Sequence, residues 1–285
     1  MVRGTSGTGP FIWNGTPSTL IPRLVLMAEF TPLTRSPFGA LMINRKVPFP
    51  DASFQTKLSS DAIERCLKFA HDMVLGNGAH RVKRTGGKQS RDKALIFRDT
   101  LQGKLAEFAV CEHLTRAGVS VSPDFSVAPL GSWDSGDISL GGYEIAVKSA
   151  KHFSNLLLLE CVDWKAPNVY LHGRNGSQVN VDAVVFARVK LPGLPSRTSG
   201  SILSRLSVFE DLPTAGVQVD IPGYTNGRGI ENCILSNLII PSGAMLNGTV
   251  EMEVDNYYIQ AGDLDPFERL ASGLSSALAK TRPRA

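Results

Sequence analysis

Glu107, Asp137 and Lys148 are the side chains whose types and order could do chemistry together. Carboxylates supply hard oxygen ligands for a divalent cation. Such a cation lowers the pKa of a bound water, and an ammonium beside it orients the nucleophile and stabilises a developing oxyanion. The chemistry implied is metal-assisted hydrolysis. Each residue taken singly has a bland role. A glutamate at the edge of an apolar stripe reaches water by its own length, Asp137 is a strand-entry acid after Gly136, and Lys148 is a strand-end cation. The three in this order are harder to dismiss.

The elements that must position them are legible. A helix is expected from about Arg91 to Arg116, stopping at Gly118, because glycine accepts the left-handed geometry of a C-terminal cap. Helical stepping from Glu107 reaches Gly103, Val110, Cys111 and Leu114, so its carboxylate looks toward small and apolar neighbours. GDISL and YEIAVKSA alternate with period two about Gly141-Gly142 and read as a hairpin. On its second strand Glu144, Ala146, Lys148 and Ala150 share one face. A buried lysine there needs a partner, which Asp137 and Glu144 can supply.

GKLAEF with Glu107, GDI with Asp137 and AVK with Lys148 resemble the PD-(D/E)xK nuclease superfamily, over about half of the chain. The superfamily includes restriction endonucleases, junction resolvases and recombination nucleases. The resemblance implies an α/β fold, a mixed central sheet of the restriction-endonuclease-like kind flanked by helices. It also implies Mg2+ (or Mn2+), with Asp137 and a second acid binding the cation, Glu107 assisting, and Lys148 helping to activate water. The second acid belongs two places before the lysine, where this chain has Ala146. Three explanations stay open: Glu144 has taken over, the chain binds without cutting, or the acid was replaced to trap a substrate complex. The implied activity is Mg2+-dependent hydrolysis of DNA, duplex in preference, in restriction or defence. Its rivals are a non-cutting nucleic-acid-binding module, a junction-resolving nuclease and, more weakly, RNA cleavage. Where both strands are cut a homodimer is expected, although no dimer seam is legible.

Charge fits a nucleic-acid partner through its distribution. The net +4 is modest, yet between Gly76 and Arg98 lie Arg81, Lys83, Arg84, Lys88, Arg91, Lys93 and Arg98 against Asp92 alone. A basic segment containing Gly86-Gly87 can follow a phosphate backbone, and it offsets the repulsion of acids in a metal site. His80 reads as a phosphate donor there, and Lys151 and His152 as residues at the site edge. Asp124 and Asp134 are alternative metal acids ranked below Asp137. GTSGTGP and TGGKQS lack the spacing and residues of a phosphate-binding loop, which argues against nucleotide binding.

At 285 residues with 42% hydrophobic and 20% charged content, the chain can bury a sizeable core without staples. It has no long apolar run, no secretion signal, and cysteines without CxxC spacing, so a cytoplasmic protein off the membrane is expected, without zinc or disulfides. Three regions are expected: an irregular arm over 1–48, a nuclease core over 49–191 containing the basic loop 76–98, and a mainly β C-terminal extension with a basic tail over 192–285. Ser59 or Ser60 should cap a helix ending near Gly76. KHFSNLLLLE reads equally as helix or buried strand, and Asp182–Leu191 as a core strand.

Overall fold

Helix α1 (Ser60–Val74) starts at Ser59, whose Oγ accepts a hydrogen bond from the Ala62 amide at 3.2 Å. That cap satisfies one of the donors left over at a helix start. Helix α2 (Lys93–Arg116) ends where Gly118 takes φ +83° and the Val119 amide turns back to the Leu114 carbonyl at 2.9 Å. The two helices pack through small and apolar residues, including Ala62, Cys66, Ala70, Leu105 and Ala109. Among the described residues three further helices follow: α3 (Leu212–Ala215), α4 (Gly227–Leu235) and α5 (Phe267–Thr281). The computed structural model describes residues 30–51, 56–76, 93–126, 137–172, 177–192 and 212–281.

The strands are β1 (Thr34–Arg35), β2 (Leu41–Met42), β3 (Thr56–Lys57), β4 (Ile138–Leu140), β5 (Tyr143–Lys151), β6 (Leu156–Glu160), β7 (Trp164–Lys165) and β8 (Val169–His172). They continue with β9 (Ser177–Asn180), β10 (Ala183–Lys190), β11 (Gln218–Asn226), β12 (Ile239–Ile240), β13 (Met245–Leu246), β14 (Val250–Glu251) and β15 (Asn256–Gln260). A five-stranded sheet in the order β3-β11-β10-β5-β4 is mixed: β5 and β10 run parallel, and the other pairs antiparallel. Parallel neighbours need a long crossover. Here β6 to β9 supply it, β6 joining β15 and β12 in a second sheet while β7, β8 and β9 form a third.

Alternation along β5 and β10 splits the core into two layers. Ile145, Val147, Ala183, Val185, Ala187 and Val189 face the helices α1, α2 and α5. Ala146, Ala150, Val184 and Phe186 face the sheet of β6, β12 and β15 with helix α4. The β4–β5 turn takes positive φ at both glycines, +57° at Gly141 and +87° at Gly142, as a tight hairpin turn requires. A Cβ at Gly141 would also meet Leu278 Cδ2 of α5, the end of a side chain that would have to shift.

The expected division of the chain differs from the structure at both ends. In the arm expected to be irregular, β1 and β2 join β13 and β14 in a four-stranded sheet. Gln260 on β15, fully buried, accepts from the amides of Asn44 and Arg45 and donates to the Thr31 carbonyl. Arg188 on β10, also fully buried, donates to the carbonyls of Val47, Pro48 and Ser154 and pairs with Asp220. These long-range bonds fasten a segment with no periodicity of its own. At the other end β11 is a member of the central sheet rather than of a β extension, and NCILSNLII begins as helix α4, capped by the Asn226 side chain. The run after Lys151 settles as strand β6.

Candidate functional site

The expected site residues fall around one level of β5. The β4–β5 register sets Ile138 opposite Ile145 and Ser139 opposite Glu144, and Ser139 Oγ donates to Glu144 Oε2 at 2.7 Å. Asp137 immediately precedes β4, one step beyond the Ile138–Ile145 pair. Asp137 Oδ2 accepts a hydrogen bond from the Val147 amide at 2.6 Å, one residue before Lys148. Asp137 is therefore tied to the backbone of β5 at the edge of the sheet, one residue before Lys148.

Glu107 approaches from the other side. It is 6% exposed on α2, which packs against the helix-side face of β5. Lys104 Nζ donates to its Oε2 at 2.5 Å and the Asp124 amide to its Oε1 at 3.2 Å. Burial pushes the Glu107 carboxyl up to about 7; the Lys104 ammonium opposes the rise and the charge of Asp137 adds to it. Its apolar neighbours are those that helical spacing implies, with Val110, Cys111 and Leu114 all buried. Glu107 and Asp137 thus sense each other, whereas the ammonium of Lys148 lies on the opposite face.

Lys148 Nζ sits 5.0 Å from the centroid of the Tyr170 ring, in a cleft of about 910 Å³ at the C-terminal end of β5. Gln102 and Asp99 of α2 line it from one side, and Glu160, Asp163, Glu251 and Glu253 from the other. Gln102 Nε2 donates to Ser149 Oγ at 3.2 Å, tying α2 to β5 beside the lysine. The sequence reading missed these residues. Asp99 was within reach of it, being two further helical steps of four before Glu107 on the same stripe. Tyr170 was not, because β8 meets β5 only through the fold.

Glu144 is four residues from Lys148 on the same strand face, about 13 Å along the chain at ~3.3 Å per residue. Its carboxylate is held by Ser139 and its amide by Asp182 Oδ2, and it does not line the cleft. Ala146 is 9% exposed and packs with Leu156, Val184 and Phe186. Lys151 ends β5 with its Nζ 5.9 Å from the Phe153 ring, and Lys93 stands exposed at the first turn of α2. Arg98 pairs with Asp99 at 3.1 Å. His80, Arg81, Lys83, Arg84, Lys88 and Arg91 lie outside the described residues, as does Asp134. His152 stacks edge-on with Phe49 and Phe153, and Asp124 bonds Ser126.

Among the described residues no group of three or more His, Cys, Asp or Glu is placed to hold a metal ion. A hexahydrated-type ion such as Mg2+ needs only one or two carboxylates while it keeps several waters. Asp137 has one carboxylate oxygen on the Val147 amide, and both oxygens of Glu107 are engaged, Oε2 by Lys104 and Oε1 by the Asp124 amide. Compared with family models, curated proteins and solved structures, the chain matches none of them. No helix among the described residues is long and apolar enough to cross a membrane.

Proposed function

We propose that the chain is a divalent-cation-dependent DNA endonuclease of restriction-endonuclease-like fold, acting in the cytoplasm on duplex DNA in restriction or defence. The observation that carries the reading is the bond from the Val147 amide to Asp137, which ties that acid to β5 within the field of Glu107 and one residue from Lys148 in the chain. Helix α2 packed on β5, the β4–β5 hairpin and the parallel partner β10 support the same architecture. Asp137 and Glu107 would hold Mg2+ or Mn2+, which when bound lowers the pKa of a water and offsets charge on the phosphate. Lys148 donates to a phosphate oxygen or orients the attacking water. Glu107, titrating near 7, takes up or releases a proton in the working range. The basic stretch before α2 holds the sugar-phosphate backbone, and a homodimer delivers two cuts.

Ala146 favours a second reading, a module that binds DNA on this scaffold and does not cut it, since its methyl packs with apolar residues where the superfamily places an acid. The two are separated by assaying the chain beside Ala146→Glu, with Mg2+ and with Mn2+, on supercoiled and linear duplexes. The nuclease reading expects the variant to cut and Lys148→Ala or Asp137→Ala in that background to abolish cutting. Equal, negligible cleavage by both proteins, with salt-sensitive binding intact, leaves the binding module.

A further inference from the structure

Lys148 is held in an unusual way for a half-buried cation. Asp99, Glu160, Asp163, Glu251 and Glu253 line the same cleft, and Asp99, Glu160, Asp163 and Glu253 hold interactions of their own. The contact that meets its Nζ is the Tyr170 ring, 5.0 Å away. A ring face attracts an ammonium through its quadrupole and takes no hydrogen bond from it. A carboxylate in that place would take one or more of the three N–H donors and neutralise the charge.

Tyr170 is itself rigidly mounted. It is on the middle strand of the β7-β8-β9 sheet, opposite Trp164 on one side and Val179 on the other. The Trp164 ring, 3% exposed, supports it at 5.1 Å and a tilt of 53°. Across β5, Lys148 is in register with Phe186, which is 1% exposed. An apolar neighbour flanks the stem and an aromatic face meets the head.

We propose that Tyr170 is a positioning residue for Lys148, its ring fixing the ammonium in the cleft with all three N–H donors left for an anionic oxygen of the substrate. The insert that carries β7, β8 and β9 is then part of the working site rather than decoration on the sheet. The role in turnover rests on the phosphodiester reading above; the holding of the ammonium does not.

Two measurements test it. In the wild-type chain, amines are acetylated with limiting acetic anhydride and each lysine is quantified by peptide mass spectrometry against the exposed Lys57. Removing the ring in Tyr170→Leu, or in Tyr170→Met should the first fold poorly, is expected to raise Lys148 labelling about threefold, while Tyr170→Phe leaves it as in wild type. In the Ala146→Glu background, Tyr170→Leu is expected to lower kcat on duplex DNA about tenfold with KM within about twofold, and Tyr170→Phe to restore it. Unchanged labelling in the ring-less variants, or a loss in Tyr170→Phe as deep as in Tyr170→Leu, overturns the proposal. Normal cutting by Lys148→Ala instead overturns the nuclease reading and leaves the labelling result to decide whether the ring holds the ammonium.

Discussion

Replacing Glu107 by glutamine should change how stability depends on pH. Burial moves the Glu107 carboxyl from an ordinary 4.5 to about 7 in the folded chain. Between those values the folded state keeps a proton that the unfolded state has released, so stability falls as pH rises through this window and levels off above it. From pH 5 to pH 8 the linkage amounts to about 2–3 kcal/mol, at 1.36 kcal/mol for each tenfold change in proton binding. Glutamine cannot ionise, so Glu107→Gln should lose this slope while keeping the shape of the site. Its absolute stability also reflects the lost bond to Lys104, which is why the difference between the two pH values is the quantity to read. Urea unfolding at pH 5 and pH 8, followed by fluorescence of the three tryptophans, measures it through the midpoint at constant m. Parallel pH dependences in the two proteins would refute the claim that the carboxyl is held near 7. The same titration should show in turnover, where cleavage by the Ala146→Glu protein rises with pH through about 7 as Glu107 loses its proton.

Two further outcomes test the frame around the site. Arg188→Met leaves Asp220 and three backbone carbonyls without their donor and is expected to cost about 3–5 kcal/mol in chemical denaturation, with proteolysis appearing near residues 44–49; an unchanged midpoint would contradict it. Gly141→Ala forces a Cβ onto Leu278 at a positive φ and should lower stability by about 1–3 kcal/mol, with Gly141→Ala/Leu278→Ala recovering the steric part in a double-mutant cycle.

Local patterns carried much of the site. The stripe through Glu107, the alternation of YEIAVKSA and the Gly-Gly turn each depend on neighbours a few residues away, and they give the faces on which Glu107, Ala146 and Lys148 stand. Segment 30–51 and the strand Gln218–Asn226 were misjudged because their place depends on partners far along the chain: Arg188 and Gln260 for the first, β10 for the second. The last turn of helix α4 was hidden in NCILSNLII because a short apolar run has no period that distinguishes helix from strand.

By itself the sequence determined which face of its own element Glu107 and Lys148 each occupy, since a helix repeats every 3.6 residues and a strand every two. Only the tertiary structure decided that Glu107 and Asp137 share a field while Lys148 points into an acid-lined cleft against Tyr170. The reason is that strand order and crossover are set by long-range pairing, and no local period encodes which distant ring will meet a given ammonium.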